Sequence, residues 1–222
     1  MTKAITPVKY LFIILLIFSA ANCVPQTTPS YNQKAIDLNN KAVKEIMKPG
    51  IYQEKLRKAN EILDSAIKID PKYPVAYQNK ISNLISLKDY KSGIKVADLL
   101  LEIQPLDATR IKRAVMIEKT GDRNQALQIY KQVYKRFLST FNKSPTGISL
   151  TDLSYITFLI EGKEKAFQKL KAGKKRLSKD DQNIKMVDDL ERKLPTLTID
   201  KILGVNPDIH VPLHIKKKRP IS

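Results

Sequence analysis

Apolar and small side chains recur at helical spacing in four stretches of the chain. Aligning residues 56–71, 89–105, 123–137 and 163–177 brings a small residue into register at Ala59, Gly93, Ala126 and Ala166. Four and seven positions later stand Leu63 and Ala66, Ala97 and Leu100, Tyr130 and Val133, and Leu170 and Gly173. Offsets of four and seven share one face of an α-helix, so each stretch predicts an amphipathic helix. Each is preceded by another apolar-periodic segment, predicting helices over 31–48, 74–87, 108–120 and 150–161. The punctuation between them fits. Pro49-Gly50 ends the first, Pro74 suits the first turn of the second, and Asp107 is placed to cap the third. Ser149 followed by Asp152 offers a capping-box-like start to the fourth, and Gly121 and Gly162 can take the left-handed conformation that ends a helix.

The small residues are separated by steps of 34, 33 and 40. Helix pairs in such a period cross closely where the small residue sits, because a longer side chain would push them apart. Ala114 and Ser154 supply the facing small residue in the third and fourth pairs, whereas Met47 and Ile81 stand there in the first two. Ile69-Asp70-Pro71 and Ile103-Gln104-Pro105 close the first two units. A period of about 34 with this pattern resembles the tetratricopeptide repeat over residues 31–177. The longer third step is expected to come from a surface loop over 139–148.

The resemblance implies an all-α fold, a short right-handed helical solenoid of about four helix pairs closed by a capping helix over 178–194. It also implies a groove along the first helices that binds a protein or peptide partner. By the family's groove positions the contacts would be Lys44, Gln78, Asn79, Ser82, Lys112, Val115 and Tyr155. Of five positions with which some members grip a C-terminal carboxylate, Lys44, Asn79 and Lys112 match, while Lys48 and Ala108 depart. The full clamp is therefore not expected.

At the N-terminus, Lys3 and Lys9 precede an apolar run over 10–18 and the small residues Ser19, Ala20 and Ala21, the layout of a secretory signal over 1–22. The uncharged stretch 10–23 falls short of the roughly 20 apolar residues that span a bilayer. Ala20-Ala21-Asn22-Cys23 resembles a bacterial lipobox, with departures at Ala20 and Asn22. That resemblance implies acylation of Cys23, a polar tether over 23–30, and a place in the bacterial cell envelope, with the outer membrane preferred over the inner in a Gram-negative cell. Ordinary signal peptidase would instead release a soluble chain from Asn22.

Composition narrows the chemistry. Cys23 is the one cysteine of 222 residues, so neither an intrachain disulfide nor a four-cysteine zinc site can form. His210 and His214 are the only histidines, and Pro212 between them denies them a shared helical face, so no metal site is expected. The seven glycines do not cluster into a phosphate-cradling loop. With no catalytic constellation, the expectation is a binding protein without cofactor. The formal net charge is +18. Within 163–176, Lys169, Lys171, Lys174, Lys175 and Arg176 predict a cationic outer surface, and residues 195–222 an extended basic tail containing Lys216-Lys217-Lys218-Arg219. These support an alternative function, recognition of an anionic envelope polymer or lipid. The export signal argues against nucleic acid.

Overall fold

The computed structural model describes residues 30–179 and 181–200. Among these residues there are nine α-helices, one terminal 3-10 turn and no strand. They run α1 (Gln33–Met47), α2 (Tyr52–Ile69), α3 (Pro74–Ser86), α4 (Tyr90–Ile103), α5 (Asp107–Lys119), α6 (Arg123–Lys143), α7 (Gly147–Glu161), α8 (Lys163–Lys174) and α9 (Ile184–Lys193), followed by the turn Leu194–Thr196. Each helix packs on the next in sequence, and α9 returns onto α7. The fold is an all-α solenoid of four helix pairs closed by a capping helix.

Burial separates the helices into two layers. In α5 the four consecutive residues Ala114, Val115, Met116 and Ile117 are all buried, and in α3 Asn83, Leu84 and Ile85 are. Successive helical positions are about 100° apart, so these helices bury more than one face. The second helices bury one stripe only, in α8 just Ala166, Leu170 and Gly173. α3, α5 and α7 thus form an inner layer and α2, α4, α6 and α8 an outer one. α1, at the end of the stack, buries a single stripe of Ala35, Asn39 and Ala42. Three apolar clusters follow one another along the stack, with Ile67 joining the first to the second and Ile94 the second to the third.

The repeat is visible in backbone and side chains alike. α2, α4 and α6 end at Asp70, Gln104 and Ser144 with nearly the same dihedrals, φ −135°, −144° and −144° and ψ 89°, 94° and 90°. In each, the terminal N–H donates to the carbonyl four residues back. Asp89 and Asp122 both cap a second helix, accepting from the N–H of Ser92 and of Gln125. The ion pair Lys80–Asp64 ties α3 to α2, and its counterpart Arg113–Asp98 ties α5 to α4.

Several boundaries differ from the sequence reading. Asp107 is the first residue of α5 and not its cap; Leu106 stands at the cap without a side-chain bond, and Asp107 pairs with Arg110 and Arg136 instead. α7 starts at Gly147, capped by Thr146, and Ser149 is the reciprocal member of that box. Its N–H donates to Thr146 Oγ1 at 3.2 Å while its Oγ accepts from the Thr146 N–H at 3.0 Å. The extra residues of the third step lie mostly in helix: α6 runs on to Lys143, because Phe141 finds a buried position in the third cluster. α9 begins at Ile184 and not at 178, since residues just before it are used to seat α7: a Cβ on Gly147 would stand 2.6 Å from the carbonyl oxygen of Asn183. Gly121 and Gly162 do adopt positive φ, +104° and +86°. In the first pair the close crossing has moved, with Ala42 buried in one cluster with Ala59 and Met47 left 74% exposed.

Candidate partner-binding face

Asn79, Lys112 and Asp152 are separated by 33 and 40 residues, the same steps that relate the small residues of their repeats. They occupy equivalent places on α3, α5 and α7. Toward the start of the stack the row continues to Asn39 of α1, whose Oδ1 accepts from Asn79 Nδ2 at 2.7 Å. This bond joins the first two members of the row.

Lys112 and Asp152 have no such partner. Among the described residues neither takes part in a hydrogen bond or an ion pair, although both are half-buried. Burial lowers the pKa of the Lys112 ammonium. Burial, assisted by the charge of Asp107, pushes the Asp152 carboxyl up to about 6. One turn on, burial and the Asp152 charge raise the phenol of Tyr155. Asp107 itself is compensated. Burial opposes its ionisation, but Arg136 and Arg110 outweigh it and hold the carboxyl below its usual range. Arg136 grips it through Nε at 2.9 Å and Nη2 at 2.6 Å.

The other expected groove residues divide. Lys44 and Ser82 are exposed and Gln78 is half-buried; the Ser82 hydroxyl donates to the Gln78 carbonyl at 3.0 Å. Tyr155 is half-buried against the third cluster. Val115 is wrongly placed among the contacts: it is 0% exposed within that cluster and faces no partner. Asn79 is engaged by Asn39, which is itself 4% exposed, so its role is to satisfy a buried amide. Asp152 was missed because its spacing from Ser149 suggested a cap; the signal that finds it is the 40-residue step from Lys112.

The expected cationic surface is largely tied to the protein itself. Lys174 does not project freely from α8, since it pairs with Asp188 at 2.6 Å and Glu191 at 2.9 Å of α9. Lys169 lies 5.8 Å over the Tyr134 ring, Lys171 4.5 Å over Phe167 and Arg176 4.7 Å over Phe141. Arg176 also donates to Asn142 Oδ1 at 3.0 Å, and Lys175 is exposed. A shallow depression of about 270 Å³ beside this helix is lined by Thr157, Glu161, Lys165, Gln168, Lys169 and Ala172. Cys23, residues 1–22 expected to form an export signal, His210, His214 and the basic residues 216–219 lie outside the described residues. Among the described residues no group of His, Cys, Asp and Glu could hold a metal ion, and no helix is long and apolar enough to cross a membrane.

The Asp152 carboxyl makes a pH-dependent prediction. Because the folded state holds its proton more tightly than the unfolded chain, stability is fullest below the ordinary carboxylate range and declines as pH rises toward about 6. Asp152→Asn should therefore stabilise the protein at pH 8 by about 1–2 kcal/mol after allowance for solvent access. Urea unfolding should find that gain shrinking toward zero below pH 4. An equal gain at both pH values would mean that Asp152 titrates like a solvated carboxylate. Compared with known protein families and with curated proteins, the sequence finds no match in either.

Proposed function

We propose that the chain is a lipid-anchored, tetratricopeptide-like scaffold of the bacterial cell envelope, holding a protein or peptide partner along its inner helices, and not an enzyme. The uncompensated pair Lys112 and Asp152 carries this reading. A desolvated charge without a partner is costly to the fold, and groups kept in that condition on rigid neighbouring helices are suited to pairing with a ligand without first being ordered. Opposite charges one repeat apart fit an extended segment bearing both an acidic and a basic group. The alternative, a cationic surface for an anionic polymer, is weakened at Lys174, whose charge is balanced by Asp188 and Glu191.

The test is photocrosslinking in native membranes from Lys44 and Ser82, exposed positions on α1 and α3. A partner captured there should be lost with Lys112→Met and retained with Lys171→Gln and Lys175→Gln. Asn79 is avoided because its removal would orphan Asn39. Retention with Lys112→Met and loss with the outer-face variant would replace this function by the cationic-surface one. Cys23→Ser should release the protein from membranes if the anchor is as proposed.

A further inference from the structure

The first helix pair departs from the other three at its tip. α4, α6 and α8 each start three residues before their small residue, at Tyr90, Arg123 and Lys163, whereas α2 starts at Tyr52, seven before Ala59. Four added residues lengthen the helix by about 6 Å. The turn joining α1 to α2 is open at Gly50, φ +121°, where a Cβ would meet no atom within 4 Å. At this tip sit the two most exposed large apolar side chains among the described residues, Met47 at 74% and Ile51 at 59%.

Lysines surround them. Lys48 bonds to Glu45, and Lys58 and Lys41 also act on that carboxylate, so cations from both helices converge on one acid. Lys55 Nζ donates to the Lys48 carbonyl at 2.6 Å, closing the turn and adding its own charge. Lys44 is exposed on the same helix as Lys41 and Lys48. The patch is thus an apolar point in a collar of net positive charge, in which Glu45 and the exposed Glu54 offset part of the five lysines.

We propose that this tip docks on the surface of an anionic bilayer, with Met47 and Ile51 entering the interface and Lys41, Lys48, Lys55 and Lys58 lying against lipid headgroups. A protein interface is a poorer occupant, because stable ones cover about 800 Å² per partner and two side chains on a narrow turn offer far less. A membrane sets no such minimum: each basic residue close to an anionic leaflet favours the docked state about fivefold. The inference does not depend on the inner face holding a partner.

The sequence contains no tryptophan, so a single introduced one reports its own surroundings. Ile51→Trp in the full chain is mixed with vesicles of phosphatidylglycerol and phosphatidylcholine whose acyl chains are brominated. Leu99→Trp, at a 48% exposed position on α4, serves as the control that is merely near the vesicle. Blue-shifted, strongly quenched emission from Ile51→Trp but not from Leu99→Trp is expected. Replacing Lys48, Lys55 and Lys58 by Gln should lower the docked population roughly a hundredfold, as should vesicles of phosphatidylcholine alone. Quenching of Ile51→Trp no greater than that of Leu99→Trp would overturn the proposal, and so would a concentration-dependent blue shift without vesicles, which would make the tip a protein contact. Met47→Trp gives the same reading should Ile51→Trp disturb the turn.

Discussion

Gly173→Ala is expected to destabilise the native chain by about 2 kcal/mol, and to cost little or nothing once Leu150 has been shortened to alanine. A Cβ at Gly173 would stand 2.2 Å from Leu150 Cδ1 and 3.2 Å from Phe141 Cζ. Leu150 is 0% exposed and Phe141 3%, so neither has open space to move into. Leu150→Ala alone leaves a cavity between α7 and α8 and should cost about 2–5 kcal/mol. In the double variant the new methyl occupies part of that cavity, and its helix propensity exceeds that of glycine. Urea unfolding of the four proteins gives the coupling. Purely additive losses would mean that α7 and α8 do not meet at these two residues.

The second large effect is expected at the other side of the last pair. α9 buries Val187 at 0% and Leu190 at 2%, and the turn after it buries Leu194 at 1%. Truncating Val187 and Leu190 together to alanine should cost about 3–6 kcal/mol, comparable with the whole stability of a small domain. In a stack where each element rests mainly on its sequence neighbours, the damage should stay local. Hydrogen exchange should show α7 and α8 losing protection while α1 and α2 keep theirs. Uniform loss along the stack would mean that it unfolds as one cooperative unit.

Much of this fold was legible in the sequence because the periodic stripe and the small residues at 59, 93, 126 and 166 are imposed by packing that repeats. What escaped were places where one repeat departs from the rest. Residues 139–148 carry Ser, Thr, Asn, Pro and Gly and suggest a loop, yet burial of Phe141 keeps α6 helical to Lys143. Met47 stands where the repeat register puts the crossing, but Ala42 is the residue of α1 buried with Ala59. The inner face was harder to read than the core, since a polar residue at a groove position can equally satisfy its own protein. Asn79 does so, bonded to Asn39. Lys112 does not, and no local pattern distinguishes the two.

The recurring junctions also make one part of the chain removable. Asp70 and Gln104 leave their helices with matching dihedrals, and each is followed by proline. Excising residues 71–104 would join Asp70 to Pro105 and bring Asp64 to the same distance along the chain from Arg113 that Asp98 now has. Of the two ion pairs broken by the loss of Lys80 and Asp98, one would be regained between Asp64 and Arg113. A stack built this way can change length by whole units through duplication or loss of one 34-residue segment at a ready-made junction, and what then needs replacing are the pairs that do not recur, Asn39–Asn79 and Asn60–Asn83.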